Sequence, residues 1–135
     1  MKARERLLII FPGGKKVDAD YKGFTIKTDQ PIREGGEGSA PEPFSLFIAS
    51  IGTCTGVYVL SFCQKRNIPT DNIFLMLKPE KNKDTHMIEK ISIMISVPED
   101  FPENYKKAIV KTASLCAVKK HLDNPPEIDI RVIKK

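Results

Sequence analysis

Residues 43–64 contain no charged side chain, although charged residues make up 29% of the chain. An uncharged run of that length folds either as a bilayer-spanning helix or as a helix enclosed by protein, because strands are far shorter. Its centre is small and polar (Ser50, Gly52, Thr53, Cys54, Thr55, Gly56), which makes a poor lipid-facing surface. The run therefore predicts a long central helix buried within the protein, closed by Asn67-Ile68-Pro69. Gly52 and Gly56 lie four apart and favour close approach of another backbone, as in other tight helix contacts. Each glycine costs a helix about 1 kcal/mol relative to alanine, so two beside a thiol imply a packing or access requirement.

The rest of the chain supplies what such a helix packs against. Its 135 residues suit a single domain over 1–135, and 41% hydrophobic content is that of a globular protein. Leu7 to Phe11 reads as a strand turned by Pro12-Gly13-Gly14, and Val17, Ala19 and Tyr21 alternate with polar neighbours before Gly23. With Phe24-Thr25-Ile26-Lys27 these predict an N-terminal antiparallel meander, followed by a Gly, Pro and Glu-rich loop over residues 34–43. Ile73, Leu75 and Leu77 pair with the alternating Ile91, Ile93, Ile95 and Val97 as a β-hairpin across a polar turn.

Pro102-Glu103 opens a second helix whose apolar face is Tyr105, Ala108, Ile109, Thr112, Ala113 and Cys116. Val118 and Leu122 slip off that face, which places a break near Cys116. Asn124-Pro125-Pro126 stops the helix, and Ile128, Ile130 and Val132 alternate as a C-terminal strand. The order is that of an α+β fold with antiparallel sheets.

A net charge of +5 raises the question of nucleic acid. The lysines are scattered, with no basic run interleaved with aromatic residues, so the expectation is no nucleic acid and a solvated basic surface. The N-terminus, Met1-Lys-Ala-Arg-Glu-Arg, is charged and leads into a short apolar run with no cleavage site and no spanning length. Three cysteines without a signal peptide point to a reducing, cytoplasmic compartment and no membrane. His86 and His121 form no metal spacing with the cysteines, and neither a phosphate loop nor a dinucleotide fingerprint is present. No metal and no cofactor is expected.

The cysteines carry the remaining chemistry. On residue type alone the commoner reading of Cys54 is a small buried apolar side chain, against that of a reactive thiol. Cys116 shifts the balance towards reactivity, because a thiol at a helix break can meet a partner. Cys63, nine residues after Cys54, falls on the opposite helix face and reads as a packing residue.

Pro43-Phe-Ser-Leu-Phe-Ile-Ala-Ser-Ile-Gly-Thr-Cys54-Thr-Gly-Val-Tyr-Val-Leu-Ser-Phe-Cys63 resembles the central helix of OsmC/Ohr proteins, a proline-led helix with a peroxidatic cysteine. Ala113-Ser-Leu-Cys116-Ala-Val-Lys-Lys-His-Leu resembles the family's second-cysteine segment. The resemblance covers nearly the whole chain and implies an OsmC-like fold in an intertwined homodimer with active sites at the subunit interface. It also implies a two-cysteine peroxidase for organic hydroperoxides. Cys54 would become a sulfenic acid, Cys116 would resolve it to a disulfide, and an external thiol reductant would restore both.

The family activates its cysteine with an arginine supported by a glutamate. Arg33, in the loop before the helix, is the candidate arginine, with an ordinary surface arginine as an equal reading. Close relatives read Pro-Phe-Glu-Leu-Phe where this chain has Pro43-Phe44-Ser45-Leu46-Phe47, so the glutamate is displaced. Glu42, in Pro41-Glu42-Pro43, is the candidate replacement, two residues out of register. A competing expectation is a catalytically weak binding module for a small apolar or thiol-reactive ligand. A third is a structural dimer whose cysteines only pack.

Overall fold

The computed structural model describes residues 6–134. Most of the charged N-terminus weighed in the sequence, Met1–Glu5, lies outside the described residues. The chain forms two compact units, Met1–Ala49 and Ser50–Lys135.

In the first unit β1 (Leu8–Gly13), β2 (Lys16–Tyr21) and β3 (Phe24–Thr28) form a three-stranded antiparallel sheet in the order β1-β2-β3, the expected meander. The first turn lies later than its sequence signal. β1 continues through Pro12 to Gly13, and the chain reverses at Gly14 (φ 58°) and Lys15. Proline is tolerated there because β1 is an edge strand with a register shift between Ile10 and Gly13. The second turn has positive φ at both Lys22 (51°) and Gly23 (81°), matching the twist that a two-residue hairpin needs.

The loop that follows is organised by one carboxylate. Asp29 is 1% exposed; its Oδ1 accepts the Gln30 N–H at 2.8 Å, and its Oδ2 accepts the N–H groups of Glu37 (3.3 Å) and Ser39 (3.1 Å). The Ser39 hydroxyl donates to the same oxygen at 2.6 Å. Led by Ser39, these donors outweigh the opposing effect of burial and hold the Asp29 pKa at about 2, below its usual 3.8. The folded value is the lower one, so this contribution to stability is complete above the unfolded pKa and is lost as pH falls from about 3.8 to about 2. The thermal midpoint of the native chain should therefore fall towards that of Asp29→Asn across this window, as followed by circular dichroism. A gap between the two that stays constant down to pH 2 would remove Asp29 as the anchor.

Among its described residues this unit buries Thr28 and Asp29 and no hydrophobic side chain. Leu8, Ile9, Ile10 and Phe11 of β1 are all exposed.

The second unit holds the hydrophobic core. α1 (Pro43–Lys65) begins in the first unit, and its turns from Ser50 onward belong to the second. On length and composition alone α1 is apolar enough to cross a membrane. Its burial is one-sided: Ile51, Thr55, Val59, Phe62 and Cys63 form a stripe at helical spacing, while Val57 and Leu60 are exposed. Val59, Phe62 and Cys63 pack with Phe101, Ile109 and Ala113, and burying a side chain such as Phe62 contributes about 1.5–3 kcal/mol. At Gly52 a Cβ would sit 3.1 Å from Leu77 Cδ1, so a side chain and not the expected backbone makes the close approach there; Gly56 has open space around it. The helix closes where Asn67 takes φ 54° and the Ile68 N–H donates to the Cys63 carbonyl at 2.9 Å.

β4 (Phe74–Lys81) and β5 (Ile88–Ser96) form the expected antiparallel hairpin, with Leu75 opposite Ile95 and Leu77 opposite Ile93. Asn82 Oδ1 accepts the N–H groups of Asp84 and Thr85 and shapes the turn. A 3-10 turn over Glu103–Tyr105 leads into α2 (Lys106–Ala113), and α3 (Ala117–Asp123) follows a break at residues 114–116. The predicted apolar face of α2 is the one that is buried or half-buried.

The expected C-terminal strand is not formed: residues 125–134 carry no regular structure, and Ile128, Ile130 and Val132 are 80–92% exposed. Their alternation is that of a strand, but a strand exists only against a partner edge, and none of the described residues pairs with them.

Candidate thiol site

Cys54 and Cys116 meet because two local choices turn them together. α1 carries Cys54 one position before the buried stripe residue Thr55, which leaves its thiol half-buried. After α2 ends, Cys116 takes an extended backbone (φ −59°, ψ 142°) as the residue capping α3. Its side chain thereby folds back, and Sγ accepts the Lys119 N–H at 3.3 Å. The helix break inferred from periodicity is this cap.

Three more donors converge on the same sulfur. The Thr55 hydroxyl lies 3.7 Å from Sγ, and the Cys54 side chain and the Val118 N–H also help to lower its pKa. Cys116 is fully buried, and burial pushes its pKa up. The donors, led by Lys119 and Thr55, outweigh that effect, so the thiol ionises more readily than a free cysteine. Cys63 is the opposite case: burial in the core raises its pKa, and the Arg66 charge offsets only part of the rise. The Arg66 guanidinium stacks 3.6 Å over the Phe62 ring and donates to the Phe62 carbonyl, which ties it to the core.

A cavity of about 620 Å³ is walled by Ile91, Ile93, Ile95, Phe101 and Ile109, with Lys106 and Lys119 also lining it and neither cysteine on its wall. Thr55 lies on its wall as well, so one side chain touches both the cavity and Cys116 Sγ.

The other candidates belong to the first unit. Arg33 sits in the 3-10 turn Ile32–Glu34 and is exposed. Glu42 is half-buried ahead of α1, where its carbonyl accepts the Ser45 N–H at 3.0 Å. Among the described residues Arg33 and Glu42 form no ion pair with each other. Ser45 is exposed in the first turn of α1. His86 lies in the hairpin turn with φ 61°, and His121 Nδ1 lies 2.7 Å from the Ala117 carbonyl.

Sequence reasoning missed Thr55 and the Lys119 N–H. Thr55 carried a faint signal, a hydroxyl directly after the central thiol. The backbone donor carried none, since any residue at 119 supplies it.

A family model described as OsmC-like protein matches residues 36–131. No curated protein matches the chain. Among solved structures, the chain is similar to a Psychrobacter arcticus protein described as an osmotic stress induced and detoxification response protein (19% identity, TM-score 0.72, covering 89% of each chain). An OsmC-like protein from Mycoplasma pneumoniae shares 11% identity at a TM-score of 0.70, over 93% of this chain and 91% of that one. The organic hydroperoxide resistance protein OhrB of Bacillus subtilis shares 19% identity at a TM-score of 0.53, over 89% of this chain and 92% of that one.

Proposed function

Because the chain belongs to the OsmC-like protein family, we propose that it is a thiol-dependent peroxidase for organic hydroperoxides, working through Cys54 and Cys116 in oxidative-stress defence. The observation that carries this reading is the set of donors gathered on the buried Cys116 sulfur from Lys119 and from Thr55, the residue next to Cys54, which lowers the pKa of that thiol against the effect of burial. Organic hydroperoxide resistance proteins among the structural neighbours support the same class of substrate.

In the proposed reaction the Cys54 thiolate attacks the terminal peroxide oxygen. An S–O bond forms, the O–O bond breaks, and the departing alkoxide takes a proton to leave as alcohol. The Cys116 thiolate then attacks Cys54 Sγ. The S–S bond forms, the S–O bond breaks, and hydroxide leaves and is protonated to water. Two electrons thus pass from the two sulfurs to the peroxide, and an external thiol reductant returns them. Arg33 is proposed to stabilise the attacking thiolate with Glu42 in support, and no cofactor enters.

The proposal includes a soluble, cytoplasmic homodimer with the single domain as its protomer. A three-stranded sheet without a buried apolar side chain and an alternating, exposed C-terminal segment are what a second copy would cover. Native mass spectrometry giving only monomer at micromolar concentration would remove the dimer.

One equivalent of cumene hydroperoxide, added to the reduced protein, should give a Cys54–Cys116 disulfide by non-reducing peptide mass spectrometry, with Cys63 left reduced. Slow, unselective oxidation of all three cysteines would overturn the peroxidase reading. It would favour the second reading, for which the apolar cavity speaks: a weakly catalytic module holding a small apolar or thiol-reactive ligand. A ligand retained through purification would then be expected in native mass spectra.

A further inference from the structure

Thr55 has one hydroxyl proton and two acceptors. Its Oγ1 lies 2.7 Å from the Ile51 carbonyl, one helical turn back, and 3.7 Å from Cys116 Sγ. A hydroxyl donates to one of them at a time, while its lone pairs accept from the other side. The residue is 4% exposed, so little of it is open to water.

The geometry points to Thr55 as a positioning residue for the thiol pair, a hydroxyl that hands its single proton between the Ile51 carbonyl and Cys116 Sγ as that sulfur ionises. While Cys116 is a thiol, its S–H points at Thr55 Oγ1 and the hydroxyl donates to Ile51. Once Cys116 is a thiolate, the hydroxyl rotates and donates to sulfur. Both states are then satisfied with no heavy atom displaced, which matters for a sulfur without solvent access.

The other groups acting on Sγ are the Cys54 thiol from α1 and the Lys119 and Val118 N–H groups from its own segment. The Lys119 ammonium is engaged elsewhere, 3.0 Å from Asp123 Oδ2. The fixed N–H groups favour the thiolate at all times, whereas the Thr55 hydroxyl, a stronger donor and acceptor than the Cys54 thiol, also accommodates the thiol. This deepens the proposed function and rests on its thiol pair, yet its test needs no peroxide.

The test is a pH titration of ultraviolet thiolate absorbance in Cys54→Ser protein, where Cys116 and the high-pKa Cys63 are the remaining thiols. Thr55→Val, which keeps the shape and removes the hydroxyl, should lower the Cys116 ionisation constant roughly tenfold. Thr55→Ser should restore it. Circular dichroism checks that each variant folds, and if the valine variant does not, Thr55→Ala is compared with Thr55→Ser in the same way. A folded hydroxyl-free variant with an unchanged titration would overturn the proposal, and so would a Thr55→Ser shift as large as that of valine. A shift seen in a protein whose natural chain is inert to hydroperoxide would support the role of Thr55 and count against the peroxidase alone.

Discussion

Cys54→Ser should lose at least about a thousandfold in the steady-state rate of cumene hydroperoxide reduction, because it removes the atom that breaks the O–O bond. Cys116→Ser should behave differently. Its first turnover should proceed at a rate within about tenfold of the native chain, since the sulfur that attacks peroxide is intact. Turnover should then stop, with Cys54 carried on to sulfinic acid under excess peroxide. Stopped-flow kinetics and intact-mass measurement separate the two. Equal loss of the first turnover in both variants would mean that the sulfurs do not divide the work in this way. Arg33→Ala and Glu42→Ala should each slow the first step by about tenfold or more if they stabilise the attacking thiolate. An undiminished rate removes the residue concerned from the mechanism.

Gly36→Ala should be the most disruptive small substitution in the N-terminal unit. A Cβ there would collide with the Gln30 carbonyl oxygen and lie 2.9 Å from Asp29 Oδ1. Both atoms are held: the Gly38 N–H donates to the Gln30 carbonyl at 3.0 Å, and Oδ1 accepts the Gln30 N–H. The loop has to open, and the cost is about 3 kcal/mol, a large share of the total stability of a small domain. Urea unfolding should show a lowered midpoint with little change in slope. Gly38→Ala makes a useful contrast: open space surrounds a Cβ there, and its cost should come from the positive φ of 65° alone.

Where one pattern answered to one physical constraint, the structure was legible in the sequence. The alternation of Ile91, Ile93 and Ile95 found its strand because a half-buried hairpin needs period two, and the buried face of α2 was readable residue by residue. The slip of Val118 and Leu122 located the α2–α3 break, and with it the cap that turns Cys116 towards α1. Tertiary information was what the pattern lacked. Pro12 suggested a turn, but an edge strand has no donor to lose at that position. Gly56 looked like Gly52 in sequence, and only Leu77 distinguishes them. Asp29 stood out nowhere, since its role depends on donors up to ten residues away that a loop composition does not reveal. The alternating segment at Ile128, Ile130 and Val132 was readable as a strand pattern, but pattern alone does not supply the edge that pairs it. In the thiol site the sequence singled out both cysteines, whereas the donors on Cys116 depend on a fold that joins residues more than sixty positions apart.

The placement of Cys63 gives the chain an internal gauge of its own opening. It is fully enclosed, its thiol is held back from ionisation, and it lies on the far side of α1 from Cys54. A membrane-permeant maleimide would therefore tag Cys54 in the native state, while Cys63 reacts only in molecules whose core has come apart. The ratio of single to triple tagging, read by mass after a timed pulse in a living cell, would report how often the core opens, with no engineered probe.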